Sequence, residues 1–400
     1  MPTTPAPGTV LIVDDVAVNL KLLRAILQKA GHRVVEAASG REALEKVREA
    51  APDLILLDVM MPGMDGYEVC RTLKSDPATS AIPIVFVSAL GEVTDRIRGL
   101  EIGAEDYLSK PFDNGEVVAR VKTQLRLRQL TRTLEGLNRE LQGKQRLIEE
   151  DLRAAAEIQR ALLPRPDVRV AGLRSAWRFA PCATIGGDIF NVIALDDDHV
   201  AAYVIDVSGH GVPPALLTVS VSQALAPGSG ATLRLLPDGS RTVAGPAEVL
   251  RLLDAEYPIE RFGMFFTIAY LVLRLSDGTL RYSTGGHPPP LLLKPDGEVR
   301  PLEEGGPIIG IGVGLDYEEG AVALAPGDRI LLYTDGVVEH MDPSRELFGD
   351  DRLRELLRDR RGEPLETFCE AIQSALAAHG RGEPPLDDVS LLVLEYEGTA

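Results

Sequence analysis

The sequence has few cysteines, few aromatic residues and no long apolar run. Its three cysteines, Cys70, Cys182 and Cys369, are scattered and odd in number, which argues against a disulfide framework and indicates a reducing compartment. No apolar run approaches the roughly 18 residues that cross a bilayer, and the opening residues MPTTPAPG lack the basic and apolar regions of a signal peptide. We therefore predict a cytoplasmic protein without a membrane segment.

Basic residues are also in deficit. Lysine and arginine number 42 against 60 aspartate and glutamate residues, which gives a net charge of −18. Domains that bind nucleic acid normally present a basic face, so we expect no nucleic-acid partner. A chain of 400 residues exceeds what one hydrophobic core organises, and two or three domains are therefore predicted.

Hydrophobic residues recur every seven positions between residues 116 and 163. The series consists of Leu127, Leu134, Leu141, Ile148, Ala155 and Leu162, with Leu130, Leu137 and Ile158 at the intervening positions. This period predicts a long helix with one apolar stripe, which pairs with a second copy as a left-handed coiled coil and forms a homodimer. Lys144 and Asp151 interrupt the stripe. A solvated spacer helix without a partner is the alternative.

Residues 9–122 alternate short apolar runs with amphipathic helical segments, which predicts an α/β fold with a doubly wound parallel sheet. Asp14 and Asp15 close the first predicted strand, and Asp58, Ser88 and Lys110 close the third, fourth and fifth. Three carboxylates in one crevice repel each other, so a hard divalent cation such as Mg²⁺ is expected there. One carboxylate then acts as nucleophile toward a phosphoryl donor, while lysine neutralises the developing charge.

The motifs LIVDD, LILLDVMMPGMDGYEVC, VFVSA and DYLSKPF resemble those of receiver domains of two-component response regulators, which have a flavodoxin-like fold. The resemblance implies a phosphorelay in which Asp58 accepts a phosphoryl group from a sensor histidine kinase. It implies that Ser88 follows the phosphoryl group, that Tyr107 packs inward on activation, and that Lys110 belongs to a lysine-proline pair with a cis peptide. The Mg²⁺ ligands that it implies are Asp14, Asp15, Asp58 and the carbonyl of Met60.

Residues 165–396 contain many short strands and separate helical segments, which predicts an α+β domain with antiparallel sheets; residues 226–245 are expected to form a loop. Aspartates punctuate the strand ends: Asp188 in GGDIF, Asp206 in DVSGHG, Asp335 in TDG, and the pair Asp387 and Asp388 in DDVSLLV. Carboxylates without histidine or cysteine beside them indicate two Mg²⁺ or Mn²⁺ ions rather than zinc. Such a pair, about 3.5–4 Å apart, activates water for direct attack on a phosphoester.

The motifs AAEIQRALLP, GGDIF, DVSGHGVPPALLT, STGGHPPPLLL, LLYTDGVVE and DDVSLLVL resemble the SpoIIE-like branch of PPM-type serine/threonine phosphatases. The resemblance implies a β-sandwich flanked by helices and a substrate that is a phosphorylated anti-sigma factor antagonist of the STAS type, in a partner-switching pathway. The implied ligands of the two Mn²⁺ or Mg²⁺ ions are Asp188, Asp206, Asp335, Asp387 and the carbonyl of Val207. Asp388 stands beside Asp387, and the sequence leaves open which of the two is the ligand.

Two histidines accompany these motifs. His210, in GHG, is either a general acid toward the leaving serine oxygen or a residue that packs or caps the following helix, and the second role is favoured. His287, in GGHPP, is expected to have a structural or substrate-loop role.

The two aspartate sites and the connecting helix predict a response regulator whose output is a metal-dependent phosphoserine/phosphothreonine phosphatase. The alternative from another class is a receiver-gated adaptor that binds a regulatory partner without hydrolysis. A diguanylate cyclase, which GGDIF alone would indicate, is disfavoured because DVSGHG and TDG follow at later strand ends.

Overall fold

The computed structural model of the protein describes residues 7–89, 100–164, 172–235, 241–312, 314 and 316–398. The chain divides into two compact units, Met1–Gln145 and Arg146–Ala400, each of which is described by itself. In the described part of the chain, no helix combines the length and the apolar character needed to cross a membrane.

The first unit contains a five-stranded parallel sheet in the order β2-β1-β3-β4-β5, which confirms the predicted doubly wound fold. The strands are β1 Thr9–Val13, β2 Arg33–Ala37, β3 Leu54–Asp58, β4 Ile84–Ser88 and β5 Asp106–Ser109. The described short helices are α1 Ala17–Lys29, α2 Gly40–Ala50 and α3 Gly66–Ser75. Every residue of β3 and β4 is buried, as expected for parallel strands covered on both faces.

Helix α3 begins close to the carboxyl end of β3. Asp65 caps the helix by accepting a hydrogen bond from the Glu68 N–H, and the Glu68 carboxylate accepts one from the Asp65 N–H. A Cβ atom at Gly66 would lie 2.2 Å from the carbonyl oxygen of Asp58. The glycine in MDGYEVC therefore allows the chain to return beside the end of the strand that carries Asp58.

Helix α4, Asn114–Arg160, is continuous over 47 residues, close to the expected range of 116–163. Val117, Val121 and Leu125 are buried in the core of the first unit. The seven-residue series is then solvent-exposed from Leu127 to Ile148. The last turns of the helix belong to the second unit, in which Ala156 is buried and Leu152 and Ala155 pack beside it.

The last part of the predicted stripe therefore differs from the expectation. Ala155 packs inside the second unit, and Leu162, which follows the end of the helix, packs against the core of that unit. Ile158 stays exposed. The series is thus available to a partner helix up to Ile148, whereas Ala155 and Leu162 have contacts within their own chain.

The second unit is a β-sandwich with helices outside it, as predicted. One sheet has the order β15-β12-β11-β8-β7, with β16 beside β12, and the other has the order β14-β13-β17-β18-β6. Its strands are β6 Leu173–Ala180, β7 Asp188–Ala194, β8 His199–Val207, β9 Leu233–Leu235, β10 Arg241–Val243, β11 Phe266–Arg274, β12 Thr279–Gly285, β13 Leu291–Leu293, β14 Val299–Pro301, β15 Gly305–Gly306, β16 Gly320–Ala323, β17 Arg329–Tyr333 and β18 Val389–Tyr396. Its helices are α5 Val212–Ala224, α6 Pro246–Glu256, α7 Ile259–Phe262, α8 Asp335–Val338, α9 Asp350–Arg360 and α10 Leu365–His379.

Alternation along β18 shows how the layers are built. Leu392 and Leu394 belong to the core shared with the first sheet, whereas Leu391 and Val393 belong to the core beneath α9 and α10. Residues 226–245, expected to be a loop, instead contribute the antiparallel strands β9 and β10; residues 236–240 lie outside the described part.

Candidate functional site

The predicted metal site of the first unit is assembled at the carboxyl ends of neighbouring strands. Carboxylate oxygens of Asp14, Asp15 and Asp58 all lie within 4.8 Å of one another. Asp14 and Asp58 are buried, whereas Asp15 is exposed. Because β1 and β3 are parallel neighbours, their carboxyl ends bring these aspartates together.

Lys110 faces this carboxylate cluster, as the sequence predicted. Its Nζ atom lies 2.8 Å from Asp14 Oδ2 and 2.8 Å from Asp58 Oδ2. Its backbone N–H donates to the carbonyl oxygen of the buried Ser88 at 2.8 Å, and the Lys110-Pro111 peptide is cis. Lys110 and Ser88 therefore adjoin the cluster from neighbouring strand ends.

Three further residues complete the surroundings. Asn19, which sequence reasoning missed, donates from Nδ2 to Asp14 Oδ1 at 3.0 Å and to Oδ2 at 2.9 Å. Its position in the first turn of α1, five residues after Asp14, is the only signal for it. The Met60 side chain is exposed, and the backbone of Met60 forms a hydrogen bond with the Asp58 carboxylate. The Tyr107 ring is buried, and its centroid lies 5.8 Å from the centroid of the Phe86 ring.

The electrostatics of the cluster suit a hard divalent cation. Burial raises the pKa of Asp58, and the hydrogen bond from Lys110 only partly offsets this. Burial acts to lower the pKa of Lys110, but hydrogen bonds to Asp14 and Asp58 outweigh it and raise that pKa overall. One ammonium group against three carboxylates leaves excess negative charge and free oxygen ligands, which fit Mg²⁺.

In the second unit, Asp188 and Asp206 come together across β7 and β8. They are direct partners in the antiparallel register, so their side chains point to the same face of the sheet. Asp335 follows β17, and Asp387 and Asp388 precede β18, which is the neighbour of β17. Interactions with Asp335 and Asp387 contribute to the pKa of Asp206, so all these carboxylates share one region.

Two buried hydroxyl groups fix Asp188. Its Oδ2 atom accepts hydrogen bonds from Thr334 Oγ1 at 2.9 Å and from Ser390 Oγ at 2.6 Å. Both hydroxyls come from the other sheet of the sandwich, and both are buried. Sequence reasoning missed Thr334 and Ser390, although they stand inside the motifs YTDG and DDVS.

Asp387 and Asp388 have different surroundings. The buried Asp388 carboxylate accepts hydrogen bonds from the backbone N–H groups of Cys182 at 2.8 Å, Gly187 at 2.5 Å and Asp188 at 3.3 Å. Asp387 is exposed, and its Oδ1 atom accepts the Asp388 N–H at 2.8 Å. A Cβ atom at Gly336 would lie 2.1 Å from the Asp388 carbonyl oxygen, which explains the glycine in TDG. The geometry gives Asp388 a scaffolding position and leaves Asp387 open to a ligand.

The remaining carboxylates oppose each other's ionisation. Burial raises the pKa of Asp206 to about 7, with the charges of Asp335 and Asp387 adding to the shift. Burial, followed by the charges of Asp206 and Asp388, holds the pKa of Asp188 well above its ordinary range. Burial likewise raises the pKa of Asp335, and Asp387 adds to this.

Divalent cations fit this second cluster. Within the residues described, none of its aspartates forms an ion pair with lysine, arginine or histidine. The described part of the second unit also contains no three acidic, histidine or cysteine ligand atoms within 4.8 Å of one another. Carboxylate oxygens without a basic partner suit hard divalent cations.

The two histidines considered as candidate site residues, His210 and His287, differ in burial. His210 is exposed and immediately precedes Gly211, the residue that caps α5. His287 is buried, its Nδ1 atom lies 2.7 Å from Thr267 Oγ1, and burial lowers its pKa to about 3. Thr267 is the cross-strand partner of Asp206, so His287 is linked to the cluster through one intervening residue, and it is neutral at physiological pH.

The chain belongs to the SpoIIE family, because the family model described as stage II sporulation protein E matches residues 196–397, just over half of the chain. The model for the response regulator receiver domain matches residues 10–122. The protein therefore combines a receiver domain with a PP2C-type phosphatase domain.

Individual relatives agree with both assignments. Response regulator PleD of Caulobacter vibrioides is 49% identical over 119 residues, which are 30% of this chain and 26% of PleD. The phosphate regulon regulatory protein PhoB of Pseudomonas aeruginosa is 46% identical over 118 residues, 30% of this chain and 52% of PhoB. The SiaA-PP2C domain of P. aeruginosa superposes with a TM-score of 0.54 at 26% identity and covers 63% of this chain and 98% of that domain. The chain thus spans about a quarter of PleD, and the likeness to PleD and PhoB covers less than a third of this chain.

Proposed function

We propose that the protein is a response regulator whose output is a metal-dependent phosphoserine/phosphothreonine protein phosphatase, controlled through Asp58. The observation that carries the proposal is the cluster of Asp188, Asp206 and Asp335, whose pKa values are raised by burial and by neighbouring carboxylates. Such a cluster is costly in an unliganded protein and becomes favourable around divalent cations. The protein phosphatase activity is also what membership of the SpoIIE family supports.

At the phosphatase site, Asp206, Asp335 and Asp387 would hold two Mn²⁺ or Mg²⁺ ions together with Asp188 and the carbonyl of Val207. When bound, such ions would supply the chemistry of an activated water as the nucleophile for phosphoester hydrolysis. Thr334 and Ser390 orient Asp188 through its Oδ2 atom. Asp388 holds the backbone of Gly187 and Asp188 in place.

At the receiver site, a carboxylate oxygen of Asp58 would attack the phosphorus of a phosphohistidine on a sensor histidine kinase, and the histidine would leave. Asp14, Asp15 and the Met60 carbonyl would hold Mg²⁺ beside it. Lys110, already 2.8 Å from Asp58 Oδ2, is placed to balance charge on the phosphoryl oxygens. Ser88 would then follow the phosphoryl group.

The long helix would pair with a second copy of the chain. Its leucines from Leu127 to Leu141 are between 51% and 66% exposed, and they repeat with the period of a coiled-coil seam. For the substrate, the resemblance to the SpoIIE-like phosphatases supports a phosphorylated STAS-type anti-sigma factor antagonist.

Phosphate release by the purified full chain tests the enzyme. We expect Mn²⁺-dependent release from phosphoserine peptides and from p-nitrophenyl phosphate, with loss of at least about 100-fold in Asp206→Asn. Asp277→Asn, which alters an exposed aspartate in a turn, is the matched control and should leave the rate unchanged. Beryllofluoride should change the rate of phosphate release by the wild type and should leave the rate of Asp58→Asn unchanged.

The adaptor alternative makes the opposite forecast. An adaptor needs no dinuclear site, so calorimetry would detect no Mn²⁺ binding that depends on Asp206, and no substrate would lose phosphate. That pair of results would reject the phosphatase proposal.

A further inference from the structure

The carboxyl end of helix α4 reaches the metal-site loop through one glutamine. Gln159 lies in the last turn of the helix and is only 3% exposed. Its Nε2 atom donates to the Gly186 carbonyl oxygen at 2.8 Å, and its Oε1 atom accepts the Gly186 N–H at 3.3 Å. A longer contact of 3.4 Å joins Nε2 to the Asp188 carbonyl oxygen. The side-chain amide of Gln159 thus forms hydrogen bonds with both the backbone N–H and the carbonyl oxygen of Gly186.

The same loop is held from its other side by Asp388. The Asp388 carboxylate accepts the N–H groups of Gly187 and Asp188, so the segment 186–188 lies between two sets of hydrogen bonds. A Cβ atom at Gly186 would lie 2.5 Å from Asp388 Oδ2, which leaves the backbone little room to move toward Asp388. Gln159 therefore holds, from the helix, the backbone that leads directly into Asp188.

Packing around Gln159 involves a second metal-site element. Ala156, one turn earlier on the helix, forms a small buried cluster with Ile185, which precedes Gly186, and with Ala215 on helix α5. Helix α5 follows DVSGHG, the motif that contains Asp206. One face of the helix therefore contacts segments next to both Asp188 and Asp206.

We propose that Gln159 is a positioning residue for the phosphatase metal site and the point at which the long helix acts on that site. The inference rests on the metal-dependent phosphatase proposed above. A buried amide that loses its partners costs about 1–3 kcal/mol, so small displacements of the helix are resisted until the contact breaks. The contact consequently offers two discrete arrangements, one with Asp188 held beside Asp206 and one with it released.

Substitution of Gln159 tests this role by direct measurement of Mn²⁺ binding. Residues that orient metal ligands typically contribute about 10- to 100-fold to metal affinity. We expect Gln159→Ala to weaken Mn²⁺ binding, measured by titration calorimetry, by that factor. Phosphate release at saturating Mn²⁺ should stay within about threefold of wild type, because no group that holds an ion is lost. Gln142→Ala, which changes an exposed glutamine of the same helix, should bind Mn²⁺ within twofold of wild type.

A second variant guards against unfolding. Gln159→Glu is nearly isosteric, keeps the acceptor for the Gly186 N–H and loses the donor for the Gly186 carbonyl oxygen, so it should weaken Mn²⁺ binding in the same way. Fluorescence of Trp177, the single tryptophan of the chain, shows whether the phosphatase domain is folded. Folded Gln159→Ala or Gln159→Glu protein with wild-type Mn²⁺ affinity would overturn the inference. Failure of the wild type itself to bind Mn²⁺ would instead reject the proposed function.

Discussion

Asp188 and Asp206 are direct cross-strand partners, and no lysine, arginine or histidine in the described part of the chain forms an ion pair with either of them. Two carboxylates in this relationship, both removed from water, bind protons more readily in the folded protein than in the unfolded chain. The stability of the metal-free domain is therefore tied to pH and to divalent cations, and this connection can be measured.

Asp206→Asn should stabilise the metal-free protein at pH 8. The pKa of Asp206 is raised to about 7, so the folded state binds more protons than the unfolded state and loses stability as the pH rises from about 4 to 7. At pH 8 the Asp206 carboxyl is ionised in the folded state, and this ionisation destabilises the metal-free protein. The substitution by asparagine removes the ionised group and should raise the free energy of unfolding by about 1–4 kcal/mol. Urea titration in a chelator, followed by Trp177 fluorescence, measures this difference.

The same titration at pH 4 is the control for Asp206. The carboxyl is then largely protonated in the folded state, so the variant and the wild type should be within about 1 kcal/mol of each other. A variant that is less stable than wild type at pH 8 in chelator would contradict the argument. With Mn²⁺ added, the order should reverse, because only the wild type retains the carboxylate.

Asp387 and Asp388 should separate binding from folding. Asp387→Ala should weaken Mn²⁺ binding by more than about 100-fold, beyond what an outer-shell substitution costs, and change stability by about 0.5 kcal/mol or less. Asp388→Ala removes the acceptor for the N–H groups of Cys182 and Gly187 and should cost at least about 2 kcal/mol of stability. Calorimetry and urea unfolding on both variants give the comparison; the reverse pattern would make Asp388 the ligand.

His287 should make the phosphatase domain sensitive to acid. Burial lowers its pKa to about 3, so the unfolded chain binds a proton below about pH 6.5 that the folded domain does not, and stability falls as the pH falls through this window. Between pH 7.5 and pH 5 the wild type should lose about 2 kcal/mol more than His287→Gln. Trp177 fluorescence in urea at the two pH values measures both losses. His210→Gln, at an exposed position, should behave as wild type, and an unchanged loss in His287→Gln would exclude this origin.

Motif and strand-end reasoning predicted most of the fold and the principal carboxylates. Asp14, Asp15 and Asp58 were predictable because parallel strands place their carboxyl ends at one edge, and the structure brings these residues together with Lys110. The sandwich was predictable from its family motifs and from alternation in strands such as β18. The roles of the individual ligands stay predictions.

Partners that lie far apart in sequence were not predictable. Thr334 and Ser390, which lie 146 and 202 residues after Asp188 in the sequence, both donate hydrogen bonds to its carboxylate. These hydrogen bonds form only because the two sheets pack against each other. The distinction between Asp387 and Asp388 depends on which side chain turns inward at the start of β18. Strands β9 and β10 are only three residues each, too short for a periodic signal, and the segment was therefore expected to be a loop.

The polar seam positions Lys144 and Asp151 give the last prediction. Lys144 forms an ion pair with Glu140, at 2.7 Å on the exposed surface, and Asp151 is exposed, so replacement of both by leucine removes little from a single chain. In a dimer, both leucines would complete the apolar seam. We expect the double variant to self-associate at least tenfold more tightly and to lose the change in phosphatase rate that beryllofluoride causes, because a continuous seam favours one arrangement of the helices.

Sedimentation and phosphate release measure these two effects of the leucine substitutions. Arg139→Leu with Arg153→Leu adds the same side chains on the opposite face of the helix, five residues after the seam positions Leu134 and Ile148, and should leave the affinity of the dimer as it is. If the seam variant dimerises tightly and still responds fully to beryllofluoride, the polar interruption has no part in signalling. If only the seam variant loses the response, the polar interruption in the middle of the helix is what allows Asp58 to control the phosphatase.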